Sequence, residues 1–125
     1  MKRKILIIDN EIAWCDLIKE AIESANLGKC QFSCTGVMGL ALFKANIQNS
    51  IPYDVVLLDI HLNEHNGLTV LDKMREFEEK VGMGNTTIIM VTGTTREKEE
   101  AEKRQSNGYL NKPFSIAELR NYINV

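Results

Sequence analysis

Short runs of consecutive apolar residues alternate along this chain with stretches whose apolar positions recur every three or four residues. Ile5-Leu6-Ile7-Ile8 is continuous and largely β-branched, the pattern of a strand covered on both faces. From about Glu11 to Ala25, the residues Trp14, Leu17, Ile18, Ala21, Ile22 and Ala25 form one stripe at helical spacing, and Asn26 and Gly28 fit its end. Gln31 to Cys34 reads as a short second strand. Val37 to Ala45 reads as a helix with Val37, Leu40, Ala41 and Lys44 along one line, and Asn46 to Pro52 as loop. Val55-Val56-Leu57-Leu58 is a third buried strand that stops at Asp59. Leu68, Leu71, Met74, Phe77 and Val81 mark a third helix, closed by Gly82-Met83-Gly84-Asn85. Thr87 to Val91 is a fourth strand ending at Thr92-Gly93. Arg96 to Gln105 is charged and helix-permitting, with Ala101 its only apolar residue. Such a helix gains little from packing and is expected to be short, mobile or displaced, or else held by Glu99–Lys103 and Glu100–Arg104 pairs. Tyr109-Leu110-Asn111 is a short fifth strand. Ser115, with Glu118 three residues on, opens a last helix through a capping box, with Ile116, Leu119 and Ile123 facing inward.

A strand followed by a helix thus occurs five times, without internal repeat or linker. Parallel strands joined by right-handed helical crossovers form an open sheet with helices on both faces. The expected fold is α/β, a flavodoxin-like (βα)5 three-layer sandwich with a five-stranded sheet of order 2-1-3-4-5. Ligands in such sheets bind at the carboxyl ends of the strands, beside the switch point between strands 1 and 3.

The length of 125 residues and mass of 14.2 kDa suit one domain, residues 1–125. A formal charge of −2 and a pI near 5.7 give no global attraction for nucleic acid or anionic lipid, so neither nucleic acid nor membrane is an expected partner. The opening Met1-Lys2-Arg3-Lys4 and the apolar run behind it are too short for a signal peptide, and the expected location is cytoplasmic. The three cysteines, Cys15, Cys30 and Cys34, are not spaced as a disulfide framework. Cys30 and Cys34 have no second ligand pair for zinc, so buried structural thiols are expected.

The strand ends carry the chemistry. Strand 1 ends in Asp9-Asn10, strand 3 in Asp59, strand 4 in Thr92 and strand 5 in Lys112. Two carboxylates, an amide, a hydroxyl and an ammonium, far apart in sequence, therefore fall on one rim. There is no G-x-G-x-x-G or Walker lysine loop after strand 1, which argues against a nucleotide-binding domain. A haloacid-dehalogenase-type phosphatase would need a second Asp two residues beyond its nucleophile, where this chain has His61, and it would carry a cap insertion.

With these positions in order, the chain resembles a response-regulator receiver domain. The matching segments are Ile5 to Glu11, Tyr53 to His61, Asn66-Gly67, Val91-Thr92-Gly93 and Tyr109 to Phe114. The resemblance implies a non-enzymatic signalling domain in which Asp59 accepts a phosphoryl group from the phosphohistidine of a histidine kinase or histidine phosphotransfer protein. It implies Mg²⁺ held by Asp9, Asn10, Asp59 and the backbone carbonyl of His61, with the His61 imidazole toward solvent. It assigns Lys112 and Thr92 to the phosphoryl oxygens, leaves room beside Gly93, and places a cis peptide before Pro113. Thr92 and Tyr109 would switch the surface of helix 4, strand 5 and helix 5 for an output domain or a homodimer. Two positions depart from the family pattern. Asn10 replaces an acid, which predicts Mg²⁺ binding weaker than the family norm. Asn63 stands where proline is common, which predicts a less rigid loop. The alternative reading is a receiver-like docking module that signals without phosphorylation.

Overall fold

A computed structural model of the chain describes residues 3–63, 65–83, 85–93 and 97–123. Gly84, Arg96 and the chain ends, named above, lie outside the described residues. The elements are β1 (Arg3–Ile8), α1 (Ile12–Ser24), β2 (Gly28–Ser33), α2 (Gly36–Gln48), β3 (Val55–Asp59), α3 (Gly67–Val81), β4 (Thr87–Thr92), α4 (Lys98–Lys103), β5 (Gly108–Asn111) and α5 (Ile116–Arg120). The five strands are parallel in the order β2-β1-β3-β4-β5, the flavodoxin-like order expected.

The central strands are apolar throughout because both faces are covered. Successive side chains feed opposite cores. Leu6, Ile8, Val56, Leu58, Ile88 and Met90 pack with Phe43, Leu71 and Met74 of α2 and α3. Ile5, Ile7, Val55, Leu57, Ile89 and Val91 pack with Cys15, Ile18 and Ile22 of α1 and Leu119 of α5. Among the described residues, no helix is long and apolar enough to cross a membrane.

Several expectations need correction. Leu17 is 62% exposed, because α1 meets the sheet along the narrower line Cys15–Ile18–Ile22. The Val37 line of α2 is also not its buried face. Val37 is 58% exposed, and the helix rests on Gly36, Gly39, Phe43 and Ile47. A Cβ on Gly39 would overlap Ile8, so the glycine lets α2 lie directly on β1. Apolar periodicity misses a contact face made of glycines. The helix also runs on to Gln48, through residues read as loop, because Ile47 completes that face. It opens at Thr35, whose hydroxyl accepts from Met38 N at 3.1 Å. Strand β2 starts at Gly28 rather than Gln31, because Asn26 takes the left-handed conformation (φ 62°) and turns the chain straight onto the edge of β1. At α3, Phe77 is partly buried and Val81 is 41% exposed. Gly82, at φ 68°, ends the helix.

Cys15 and Cys30 are buried, and burial, helped by the Asp9 and Glu23 carboxylates respectively, pushes each thiol up to about 12. Cys34 is only half-buried, because it lies beyond the end of the edge strand.

α4 is short, as its composition implies, and Ala101 alone anchors it in the core. Polar ties hold the rest. Arg104 pairs with Glu100 at 3.0 Å and with Asp72 of α3 at 2.9 Å. Arg75 of α3 donates to Gln105 O at 3.0 Å and to Asn107 Oδ1 at 2.5 Å. The same guanidinium reaches Glu78 at 2.8 Å and Thr86 O at 2.9 Å, and buried Glu78 accepts from Thr86 N at 3.1 Å. This network joins α3, β4 and the segment before β5. At α5 the capping box of Ser115 and Glu118 is complete.

Candidate functional site at the carboxyl ends of the strands

The sheet register brings the rim residues together. Ile8 lies beside Leu58, so the next residues, Asp9 and Asp59, leave adjacent strands side by side. Asp59 lies beside Val91, one position before Thr92. Thr92 pairs with Asn111, and Lys112 N extends that ladder by donating to Thr92 O at 2.8 Å. All four positions therefore fall on one end of the sheet.

Asp9, Asp59 and Thr92 are buried. Asp9 Oδ1 accepts from Glu11 N at 2.9 Å, and its Oδ2 lies 2.6 Å from Lys112 Nζ. Asp59 Oδ1 accepts from His61 N at 3.1 Å, and its Oδ2 lies 3.6 Å from the same ammonium. Burial first, and then the neighbouring Asp9 charge, raise the Asp59 pKa. Lys112 and the His61 amide only partly offset this. Burial also opposes the charge on Lys112, but hydrogen bonds to Asp9 and Glu11 and the field of Asp59 outweigh it and raise its pKa. Two crowded carboxylates sharing one ammonium are a setting in which a hard cation would relieve repulsion. Among the described residues, no group of three or more His, Cys, Asp and Glu forms a ready metal cage, so amide and carbonyl oxygens would have to complete the ligand set.

Sequence reasoning missed the surroundings of Lys112. Glu11 caps no backbone N–H with its side chain, and its carboxylate instead lies 3.0 Å from Lys112 Nζ. The ammonium also sits 5.4 Å from the Trp14 ring centroid, and Trp14 meets Phe114 edge to face at 5.3 Å. Both residues lie in or beside the quoted motifs, but only the fold brings them onto Lys112. The Lys112–Pro113 peptide is cis.

The loop after β3 is closely built. Gly67 N donates to Ile60 O at 2.7 Å, and a Cβ at 67 would overlap the Asp59 carbonyl. The Asn66 side chain caps α3 at Leu68 N at 2.8 Å. Asn63 does not stand loose, because its Oδ1 accepts from Asn10 Nδ2 at 2.9 Å. The His61 ring is exposed, as expected, yet its Nε2 lies 3.2 Å from Glu97 at the start of α4. Tyr109 is buried in the core with α2 and α3. Burial and then the Glu97 charge raise its phenol pKa. A Cβ at Gly93 would project into open space.

The family model for the response regulator receiver domain matches residues 5–124. The chain belongs to that family. It is 25% identical to the chemotaxis protein CheY-3 of Vibrio cholerae over 119 residues, which is 94% of this chain and 85% of CheY-3. It is 29% identical over 118 residues to RpaA of Synechocystis, a DNA-binding master transcriptional regulator, covering 93% of this chain and 45% of RpaA. The chain thus spans about half the length of that regulator. The receiver domain of the Francisella response regulator 1452 superposes with a TM-score of 0.79 at 29% identity, over 98% of this chain and 94% of that one.

Proposed function

We propose that residues 1–125 form a phosphoacceptor domain in which Asp59 takes a phosphoryl group from the phosphohistidine of a histidine kinase or histidine phosphotransfer protein. The observation that supports this best is the single ammonium of Lys112 held at the mouth of two buried carboxylates, 2.6 Å from Asp9 and 3.6 Å from Asp59. In the reaction, an Asp59 oxygen attacks phosphorus. The O–P bond forms as the N–P bond to the donor imidazole breaks, and an acyl phosphate results. The step relies on positioning and charge neutralisation rather than on a general base. Asp59 Oδ1 is oriented by the His61 amide. Lys112 turns from Asp9 toward a phosphoryl oxygen as a point charge. The Thr92 hydroxyl donates to another oxygen, and the open space beside Gly93 admits the group.

Asp9, Asp59, Asn10 and the His61 carbonyl would hold Mg²⁺, which supplies neutralisation of phosphoryl charge. Movement of Thr92 toward the acyl phosphate would shift the packing of Tyr109 and with it the surface of α4, β5 and α5. That surface would bind an output domain or a second receiver.

The test is incubation with acetyl phosphate and Mg²⁺ followed by intact mass, beside an Asp59→Asn control. A gain of one phosphoryl mass in the wild type alone is expected. No gain would favour the docking-module reading.

A further inference from the structure

Asn10 and Asn63 each depart from the receiver pattern, and they touch each other. Asn10 Nδ2 donates to Asn63 Oδ1 at 2.9 Å, joining the loop after β1 to the loop after β3 across the mouth of the site. We propose that Asn63 is a positioning residue for the cation, acting through Asn10, so that the two asparagines work as one unit.

The reason lies in the chemistry of the two side-chain types. A carboxylate is the same at both ends, so either oxygen can face a cation. An amide is not. One end is an acceptor oxygen and the other an NH₂ group whose partial positive charge repels a cation. An amide that replaces a carboxylate in a metal site therefore needs something to choose its orientation. In the structure Asn63 presents its own Oδ1 and so occupies the NH₂ end. The carbonyl end is left as the acceptor, and among the described residues no donor reaches Asn10 Oδ1. Proline at 63 would supply no side-chain acceptor. Partners that orient a ligand in this way tune the affinity of a site without touching the metal. The bond also makes cation binding depend on the loop that carries His61, and hence on the backbone carbonyl assigned as a further ligand.

This inference rests on the proposed metal site, and the experiment separates the two. The protein has a single tryptophan, Trp14, whose ring lies 5.4 Å from Lys112 Nζ, so its fluorescence serves as a local reporter. Mg²⁺ is titrated into the wild type, Asn63→Ala and Asn63→Leu, and into the same set carrying Asn10→Asp, with isothermal calorimetry as a second readout. Position 63 is exposed, and thermal melts confirm that each variant is folded. In the asparagine background, loss of the acceptor should raise the Kd for Mg²⁺ roughly two- to tenfold, the effect of one hydrogen bond. With Asp at position 10, both substitutions should leave the Kd unchanged, because a carboxylate needs no orienting. Equal effects in both backgrounds, or none in either, would overturn the proposal while leaving the metal site standing. Absence of Mg²⁺ binding in every variant, Asn10→Asp included, would overturn the metal site and this proposal with it.

Discussion

Lys112 Nζ lies 2.6 Å from Asp9 Oδ2 and is 1.0 Å farther, at 3.6 Å, from Asp59 Oδ2. The ammonium is parked on the carboxylate that is not the proposed nucleophile, with Glu11 on its exposed side at 3.0 Å. It holds both buried acids in check while leaving Asp59 the freer of the two.

Removing that ammonium should cost stability. Lys112→Met keeps an unbranched apolar side chain but leaves two buried carboxylates without their cation. We expect a loss of about 1–3 kcal/mol in urea unfolding at neutral pH, less than for a fully buried pair. The lysine pKa is raised in the fold. Its contribution is therefore fully present below the ordinary value of 10.5 and is lost only as pH rises through the native value. The gap between the two proteins should stay level through neutral pH. A gap that closed between neutral pH and 10.5 would contradict the assignment.

Asp59→Asn should stabilise the fold. The native pKa of Asp59 is raised above 3.8, chiefly by burial and then by Asp9. Its contribution to stability is fully present below 3.8 and is lost as pH rises through the native value. At neutral pH the ionised side chain is a liability that the amide does not share. Melts should show a gain of roughly 1 kcal/mol for Asp59→Asn at pH 7, fading as the pH approaches 3.8. A loss at neutral pH would overturn this account of the carboxylate pair.

Restoring an acid at position 10 should tighten Mg²⁺ binding. One added unit charge near 4 Å is worth about 1 kcal/mol in water, and more near a protein surface, for each unit of cation charge. Asn10→Asp should therefore lower the Kd about fivefold or more by Trp14 fluorescence titration. Equal affinities would show that residue 10 is not a ligand.

The polar ties to α4 should divide into strong and weak. Arg75→Ala strands buried Glu78, which lies 2.8 Å from the guanidinium, and removes the donor to Thr86 O at 2.9 Å. About 2 kcal/mol of global stability should go. Asp72→Ala breaks only a half-exposed pair with Arg104, so global stability should move by less than about 0.5 kcal/mol, while amide exchange within Lys98–Lys103 speeds up. Unchanged exchange there would mean that the Asp72–Arg104 pair does not hold the helix.

The order of strands, the two buried cores and the rim of Asp9, Asp59, Thr92 and Lys112 were legible in the chain, because unbroken apolar runs ending in polar residues admit few folds. Asn10 and Asn63 were each visible as departures. What the sequence could not convey was contact between distant positions. Nothing in the apolar pattern marks Gly36 and Gly39 as the seat of α2, because a close approach of backbones removes the side chains that periodicity counts. Nor does the pattern join Glu11 to Lys112, Asn10 to Asn63 or Arg75 to Asn107. Those contacts arise only when the crossovers bring separate βα units together, at the carboxyl ends of the strands for the first two and at the amino ends of β4 and β5 for the third, and polar partners are chosen by distance and direction rather than by spacing along the chain.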